Sequence, residues 1–313
     1  MSLERALALV DAEPRHGYPN PTVGAVVVDA GGAIVGEGVS EPAGGRHAEV
    51  VALDAADDAG RGGTLFVTME PCAHHGHTPP CVGRIVAAGV IRVVAACADP
   101  TEQASGGAAQ LRRHGLEVEL LDLPRARRQN EAWRTWAVRG RPHVLLKLAA
   151  SLDGRVVVPG RRWVTGEAAR RRVHELRSQV DAVAVGMGTV RADAPRLDVR
   201  DVAVERQPRR LAFGRGPLPD GSGLELRRGP LLAELEALGA AGVQSLLLEG
   251  GPTLATAFLE AGLVEQLLVF VAPVLSGDGP TMLGRLARPL DLASLELEQV
   301  GVDVLLTARL RED

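Results

Sequence analysis

The sequence predicts two successive α/β domains. Three observations lead there. The chain has 313 residues, about twice a common domain length. Short runs of Val, Ala and Leu alternate with segments of helical period in both halves. Midway, residues 124–142 (PRARRQNEAWRTWAVRGRP) break that rhythm with arginines and two tryptophans, as a connecting helix would. A boundary near its end divides the chain into 1–142 and 143–313.

Residues 1–17 carry Glu4, Arg5, Asp11 and Glu13, which interrupt any secretory apolar core, while Leu3, Ala6, Leu7 and Val10 recur at helical spacing. TVGAVVVDA (22–30) reads as a strand that Gly31-Gly32 turns into a second strand, AIVGEGVS. HAEVVALDAADDAG (47–60) reads as a helix stopped by Gly60. TLFVTME (strand), CVGRIVAAG (helix) and VIRVVAACADP (strand) follow. The second half restarts with HVLLKLAAS as a strand, EAARRRVHELRSQV as a helix and DAVAVG as a strand. A stretch rich in Pro, Gly and Arg (208–230) holds the strand RRLAFGRG. LLAELEALGAAG (helix), VQSLLLEGG (strand), PTLATAFLEAG (helix) and QLLVFVAPVL (strand) come after it.

Composition narrows the function classes. Hydrophobic residues make up 46% and charged residues 24%, as in ordinary globular proteins, and aromatics are only 3%, so the cores must be built from Ala, Val and Leu. A net charge of -4 offers no basic surface for wrapping nucleic acid. No apolar run of about 20 residues could span a membrane. Three cysteines are too few and odd in number for a disulfide framework, which points to the reducing cytoplasm with thiols free for metal. Association into a homo-oligomer is left open.

The densest chemistry lies in MEPCAHHGHTPPC (69–81), preceded by His47-Ala48-Glu49 at the start of a helix. One imidazole and two thiolates, from His47, Cys72 and Cys81, suit Zn²⁺, and three protein ligands leave a fourth position open as catalysis requires. Glu49 lies close enough to move protons there without binding the metal. The alternative is a closed structural site with a fourth ligand from His74, His75 or His77, which leaves Glu49 without a task. Cys97 reads as a small buried hydrophobe, and His16, His114, His143 and His174 as surface or packing residues.

His-x-Glu with Pro-Cys is the pattern of the zinc deaminases. Eight residues separate Cys72 from Cys81, where nucleic-acid deaminases have two. That spacer, with EPCAHHGHTPPC and Pro19-Asn20-Pro21-Thr22-Val23-Gly24, resembles the deaminase half of the bifunctional deaminase–reductases of riboflavin biosynthesis. The resemblance implies a three-layer domain of the cytidine-deaminase kind in which Asn20 and His74 contact a phosphoribosylaminopyrimidine. His77 stands where the family carries Lys or Arg.

Lys147-Leu148-Ala149-Ala150-Ser151-Leu152-Asp153-Gly154-Arg155, Trp163-Val164-Thr165, the stretch Val185-Gly186-x-Gly188-Thr189 through Arg200, and Leu248-Glu249-Gly250-Gly251-Pro252-Thr253-Leu254 resemble the reductase half. They imply a dihydrofolate-reductase-like α/β domain that uses NADPH. On that resemblance Ala149, Trp163, Thr189, Asp193, Gly251, Pro252 and Thr253 line the cofactor site. Lys147, Arg177, Leu197, Arg200 and Glu249 hold substrate, and arginines suit a ribose phosphate. Three features depart from the family. Arg161 replaces a serine, Gly214-Arg215 replaces an acidic–polar pair near the cofactor, and the chain is shortened around 215–231. A deaminase carrying a non-catalytic reductase-like module is therefore the competing expectation.

Overall fold

The computed structural model describes residues 1–74, 79–204 and 206–310. The chain divides into two compact units, Met1–Arg139 and Gly140–Asp313.

In the first unit the elements run α1 (Ser2–Ala12), β1 (Gly24–Val28), β2 (Ile34–Val39), α2 (Ala48–Ala56), β3 (Thr64–Val67), α3 (Cys81–Ala88), β4 (Arg92–Ala95), α4 (Gly107–Arg113), β5 (Glu117–Leu120), α5 (Pro124–Gln129) and α6 (Glu131–Arg139). The sheet order is β2-β1-β3-β4-β5, with β1 antiparallel to both neighbours and β3, β4 and β5 parallel. All five residues of β1 are buried, because Val26 and Val28 pack toward α1 while Ala25 and Val27 pack toward α2. Helices α2, α3 and α4 cover one face, and α1 and α5 cover the other, which gives three layers. The helix expected over 47–60 ends at Ala56, and a 3-10 turn (Asp57–Gly60) carries the chain on. The 124–142 stretch forms two helices rather than one, parted at Asn130. The Asn130 side chain accepts from Thr22 N–H and donates to Thr22 C=O, both at 2.9 Å, anchoring the strand entry.

Small residues set how closely α2 approaches the sheet. Ala48, Ala52 and Ala56 recur every fourth position, on one face of a helix. They lie over Gly36 and Gly38 of β2, where a methyl group on Gly38 would sit 2.7 Å from both the Ala48 carbonyl oxygen and the Ala52 nitrogen. No side chain fits there.

The second unit runs β6 (His143–Ser151), α7 (Glu167–Ser178), β7 (Ala182–Gly186), α8 (Met187–Asp193), β8 (Arg209–Phe213), β9 (Glu225–Arg227), α9 (Leu231–Ala240), β10 (Ser245–Leu248), α10 (Pro252–Glu260), β11 (Gln266–Ala272), β12 (Ala293–Val300) and β13 (Asp303–Arg309). Its sheet order is β12-β13-β11-β6-β10-β7-β8-β9. Strands from β11 to β9 are parallel, and β13 and β12 close one edge antiparallel. Helices α9 and α10 bury Leu235, Leu238, Ala255 and Phe258 on one face, and α7 and α8 bury Ala169, Val173, Met187 and Val190 on the other. Residues flanked on both faces explain the near-continuous apolar runs of these strands. The β12–β13 hairpin was not anticipated, since its residues Glu296, Leu297 and Glu298 are exposed and lack a one-sided pattern. The shortened stretch still supplies β9.

Gly38→Ala is expected to push α2 off the sheet, at a cost of roughly 1–3 kcal/mol for overpacking. Denaturant unfolding followed by circular dichroism measures that loss.

Candidate active sites

Three ligand atoms converge at one end of the first unit. His47 is the N-cap of α2, Cys81 is the first residue of α3, and Cys72 lies on the loop leaving β3. Their ligand atoms lie within 4.8 Å of one another. His47 Nδ1 is 3.1 Å from Cys81 Sγ and 3.5 Å from Cys72 Sγ, and Cys81 N–H donates to Cys72 Sγ at 3.4 Å. Zinc bonds of about 2.0–2.1 Å to nitrogen and 2.3 Å to sulfur put tetrahedral N···S edges near ~3.5 Å, so the donor set and its spacing fit this ion. Two buried thiols side by side cannot both ionise easily. Cys72, accepting from the Cys81 thiol, is held down to about 4, and Cys81 is pushed far up.

Glu49, in the first turn of α2, is 4% exposed. Burial pushes its carboxyl above the ordinary carboxylate value, which suits a group that must take up and release a proton. The Cys72 loop is braced by a residue that motif reading did not single out. Glu70 Oε1 accepts from Gly106 N–H at 3.2 Å and Ala108 N–H at 3.0 Å, and so ties the start of α4 to the strand exit. Asn20, on the loop before β1, and His74, two residues beyond Cys72, are both exposed. His75 and His77 lie outside the described residues. Cys97 is fully buried, as expected of a packing residue.

In the second unit Lys147 of β6 and Glu249 at the exit of β10 share the sheet face that α7 covers, and Arg177 of α7 descends onto them. Glu249 accepts from Arg177 Nε at 2.6 Å and Nη2 at 3.1 Å, with Lys147 Nζ 3.7 Å away. Burial pushes the Glu249 carboxyl up, but Lys147 and Arg177 outweigh it and hold the group below its ordinary value. Arg177 also donates to the Asp198 carbonyl, between buried Leu197 and exposed Arg200. The Arg200 N–H donates to His174 Nδ1, a residue expected to lie at the surface or to pack. Ala149 lies two residues beyond Lys147 on the same strand face. Gly251 caps α10 and Pro252 opens it, with Thr253 exposed beside it. Thr189 Oγ1 is 3.4 Å from where a Gly251 methyl would stand. Asp193 ends α8, exposed. Trp163 is 54% exposed between the guanidiniums of Arg162 and Arg170, 5.1 and 5.6 Å from its ring, and Arg161 is exposed beside them. Asp153, part of the 147–155 motif but given no role there, accepts from Ser151 Oγ, Ser276 N–H and Gly277 N–H and joins the loops leaving β6 and β11.

Fold and site together define a zinc deaminase domain followed by an α/β reductase domain. The family model for the cytidine and deoxycytidylate deaminase zinc-binding region matches residues 2–97, and the model for the RibD C-terminal domain matches 142–220 and 225–306. The riboflavin biosynthesis protein RibD of Mycobacterium tuberculosis (strain ATCC 25618 / H37Rv) is 41% identical over 310 residues, covering 93% of this chain and 91% of its own. That of Escherichia coli (strain K12) is 36% identical, covering 97% of both. Among solved structures, RibD of Acinetobacter baumannii (form 2) superposes with a TM-score of 0.85 at 34% identity, over 98% of this chain and 97% of that one. A diaminohydroxyphosphoribosylaminopyrimidine deaminase/5-amino-6-(5-phosphoribosylamino)uracil reductase of Thermotoga maritima gives 0.83 at 30%, with the same coverage. The chain belongs to the RibD family of bifunctional deaminase–reductases of riboflavin biosynthesis, and its cofactors are zinc and NADPH. Both halves are matched, so the reading of the second as a non-catalytic module is not favoured.

Because Glu249 sits below its ordinary 4.5, its contribution to stability is complete above that value and is lost as pH falls through the depressed one. Glu249→Gln, which leaves two part-buried cations short of a partner, is expected to cost about 3 kcal/mol near neutrality. The gap in thermal midpoint between wild type and variant should close on acidification below pH ~4.5.

Proposed function

We propose that His47, Cys72 and Cys81 hold the zinc and that Glu49 is the proton carrier of a hydrolytic deamination. The observation that carries this is a buried glutamate in the first turn of the helix that His47 caps, beside a His/Cys/Cys cluster of zinc dimensions. Zinc supplies Lewis-acid activation of the attacking water. Glu49 takes the water proton and delivers it to the departing amine. The C–NH2 bond of the diaminopyrimidinone is thereby exchanged for C=O, with release of ammonia. Asn20 and His74 orient the ring; His77 lies outside the described residues, and the resemblance alone assigns it a phosphate contact, which an imidazole would make pH-dependent.

In the second unit NADPH supplies the hydride that turns the ribosyl into a ribityl chain. Gly251 and Thr253 offer backbone N–H groups at the positive end of α10 to the cofactor's phosphates, beside Thr189, while Pro252, which has no N–H, opens the helix. Ala149, Trp163 and Asp193 complete that site. Lys147, Leu197 and Arg200 receive the substrate, with Glu249 fixed in place by Arg177. The product of the first reaction is the substrate of the second. The enzyme is assigned to the cytoplasm, a reading supported by three free, buried cysteines, two of them ligand thiols.

Glu49→Gln is expected to retain about one zinc per chain by atomic absorption while ammonia release falls by roughly 10²–10⁴. Loss of the metal in that variant would instead make Glu49 a ligand. Cys72→Ser is expected to lose zinc and thermal stability together.

A further inference from the structure

We infer that His174 and Gln207 are positioning residues of the reductase step, holding the strained segment 197–200 in the shape that presents Arg200 to the substrate's phosphate. This rests on the assignment of Leu197 and Arg200 to the substrate, and adds the two side chains that keep them in place.

Residues 194–201 follow α8 as neither helix nor strand, and no strand pairs with them among the described residues. Their backbone is unusual. Ala194, Leu197 and Asp201 have φ of 42°, 57° and 63°, in the left-handed region that residues with a side chain rarely adopt. Ala194 is the C-cap of α8, where that conformation is common. Leu197 lies in mid-segment, and its side chain is fully buried. A conformation of this kind persists only where the surroundings over-determine it, and it concentrates at functional sites.

Here the surroundings are side chains. Gln207 Oε1 accepts from Val199 N–H at 2.8 Å, and Gln207 Nε2 donates to the Val199 carbonyl at 3.1 Å. One amide thus satisfies both backbone groups of a buried residue, as a neighbouring strand would. His174 Nδ1 accepts from Arg200 N–H at 3.2 Å, and one turn further along α7 Arg177 donates to the Asp198 carbonyl at 3.0 Å. Burial, Arg177 and Arg200 hold the His174 imidazole below its ordinary value against the opposing pull of Asp201 and Glu249, so Nδ1 stays an acceptor at neutrality. Arg210 donates to the Arg196 carbonyl, at the start of the segment. Arg177 is also engaged with Glu249, so His174 and Gln207 are the side chains given over to the segment's end. Leu197 and Val199 turn inward, and Arg200 is left exposed. Its Nε lies 3.3 Å from Asp198 Oδ1, an exposed pair that is weak and leaves the other guanidinium donors for a phosphate.

The test uses the full, zinc-loaded chain, supplied directly with the deaminated phosphoribosylaminopyrimidine while NADPH oxidation is followed. Gln207→Ala and His174→Leu are each expected to raise KM for that substrate about five- to tenfold, with kcat and NADPH affinity changed by less than about twofold. His174→Asn, whose Oδ1 can replace Nδ1 as acceptor, should recover most of the loss. Gln207→Glu, which turns a second acceptor onto the Val199 carbonyl, should not. Arg200→Ala should raise KM by itself, and Gln207→Ala added to it should cost little more, because both act on one contact. If Arg200→Ala raises KM while Gln207→Ala and His174→Leu do not, the positioning roles are overturned and the substrate assignment stands. A fall in NADPH affinity that accompanies the rise in KM also overturns them, since it marks damage to the whole domain. If Arg200→Ala leaves KM unchanged, the substrate assignment fails and the positioning roles fail with it.

Discussion

Two thiols and an imidazole drawn within 4.8 Å of one another in a buried corner form an arrangement that a protein interior resists unless a cation is to join them. The first unit is organised around that constraint. His47 and Cys81 stand at the starts of α2 and α3, so the positive ends of both helices favour thiolate there. The alanine stripe of α2 and the bare strand β2 let the helix lie close enough to bring His47 and Glu49 to the sheet edge. Glu70, capping α4, holds the loop that carries Cys72. Each packing choice trades bulk for position.

In the second unit the same economy appears with ions instead of a metal. A carboxylate that burial would neutralise is kept charged by Arg177 and Lys147. A buried pair of this kind adds little stability by itself but fixes geometry, because either partner alone would be strongly disfavoured. In the proposed function, the cations that hold Glu249 also wall the substrate site, above the carboxyl ends of the parallel strands. Binding at the carboxyl end of a parallel sheet is where free N–H groups and helix N-termini collect.

The two-half plan and most strands were legible because each half is built of residues buried on both faces, and such strands read as apolar runs between glycine turns. The grouping of His47, Cys72 and Cys81 was legible too, since thiols and histidines at that density have few structural uses. What escaped reading has specific causes. Helix α8 is seven residues that follow glycines, and it reads as a turn. The β12–β13 hairpin exposes Leu297 beside Glu296 and Glu298, so no period marks it. Glu70, Asn130 and Asp153 act through backbone N–H or C=O groups far away in sequence, and no local pattern announces such a bond. Arg177 and Glu249 were each singled out through resemblance, but their bond to one another was not legible.

That one chain carries out both successive steps is the central claim, and ammonia release and NADPH oxidation followed separately on the purified, zinc-loaded chain test it most directly. With 2,5-diamino-6-(5-phosphoribosylamino)pyrimidin-4(3H)-one as substrate, the expected result is ammonia first and NADPH oxidation after it, approaching one equivalent of each. Ammonia released in full with no NADPH consumed would contradict it.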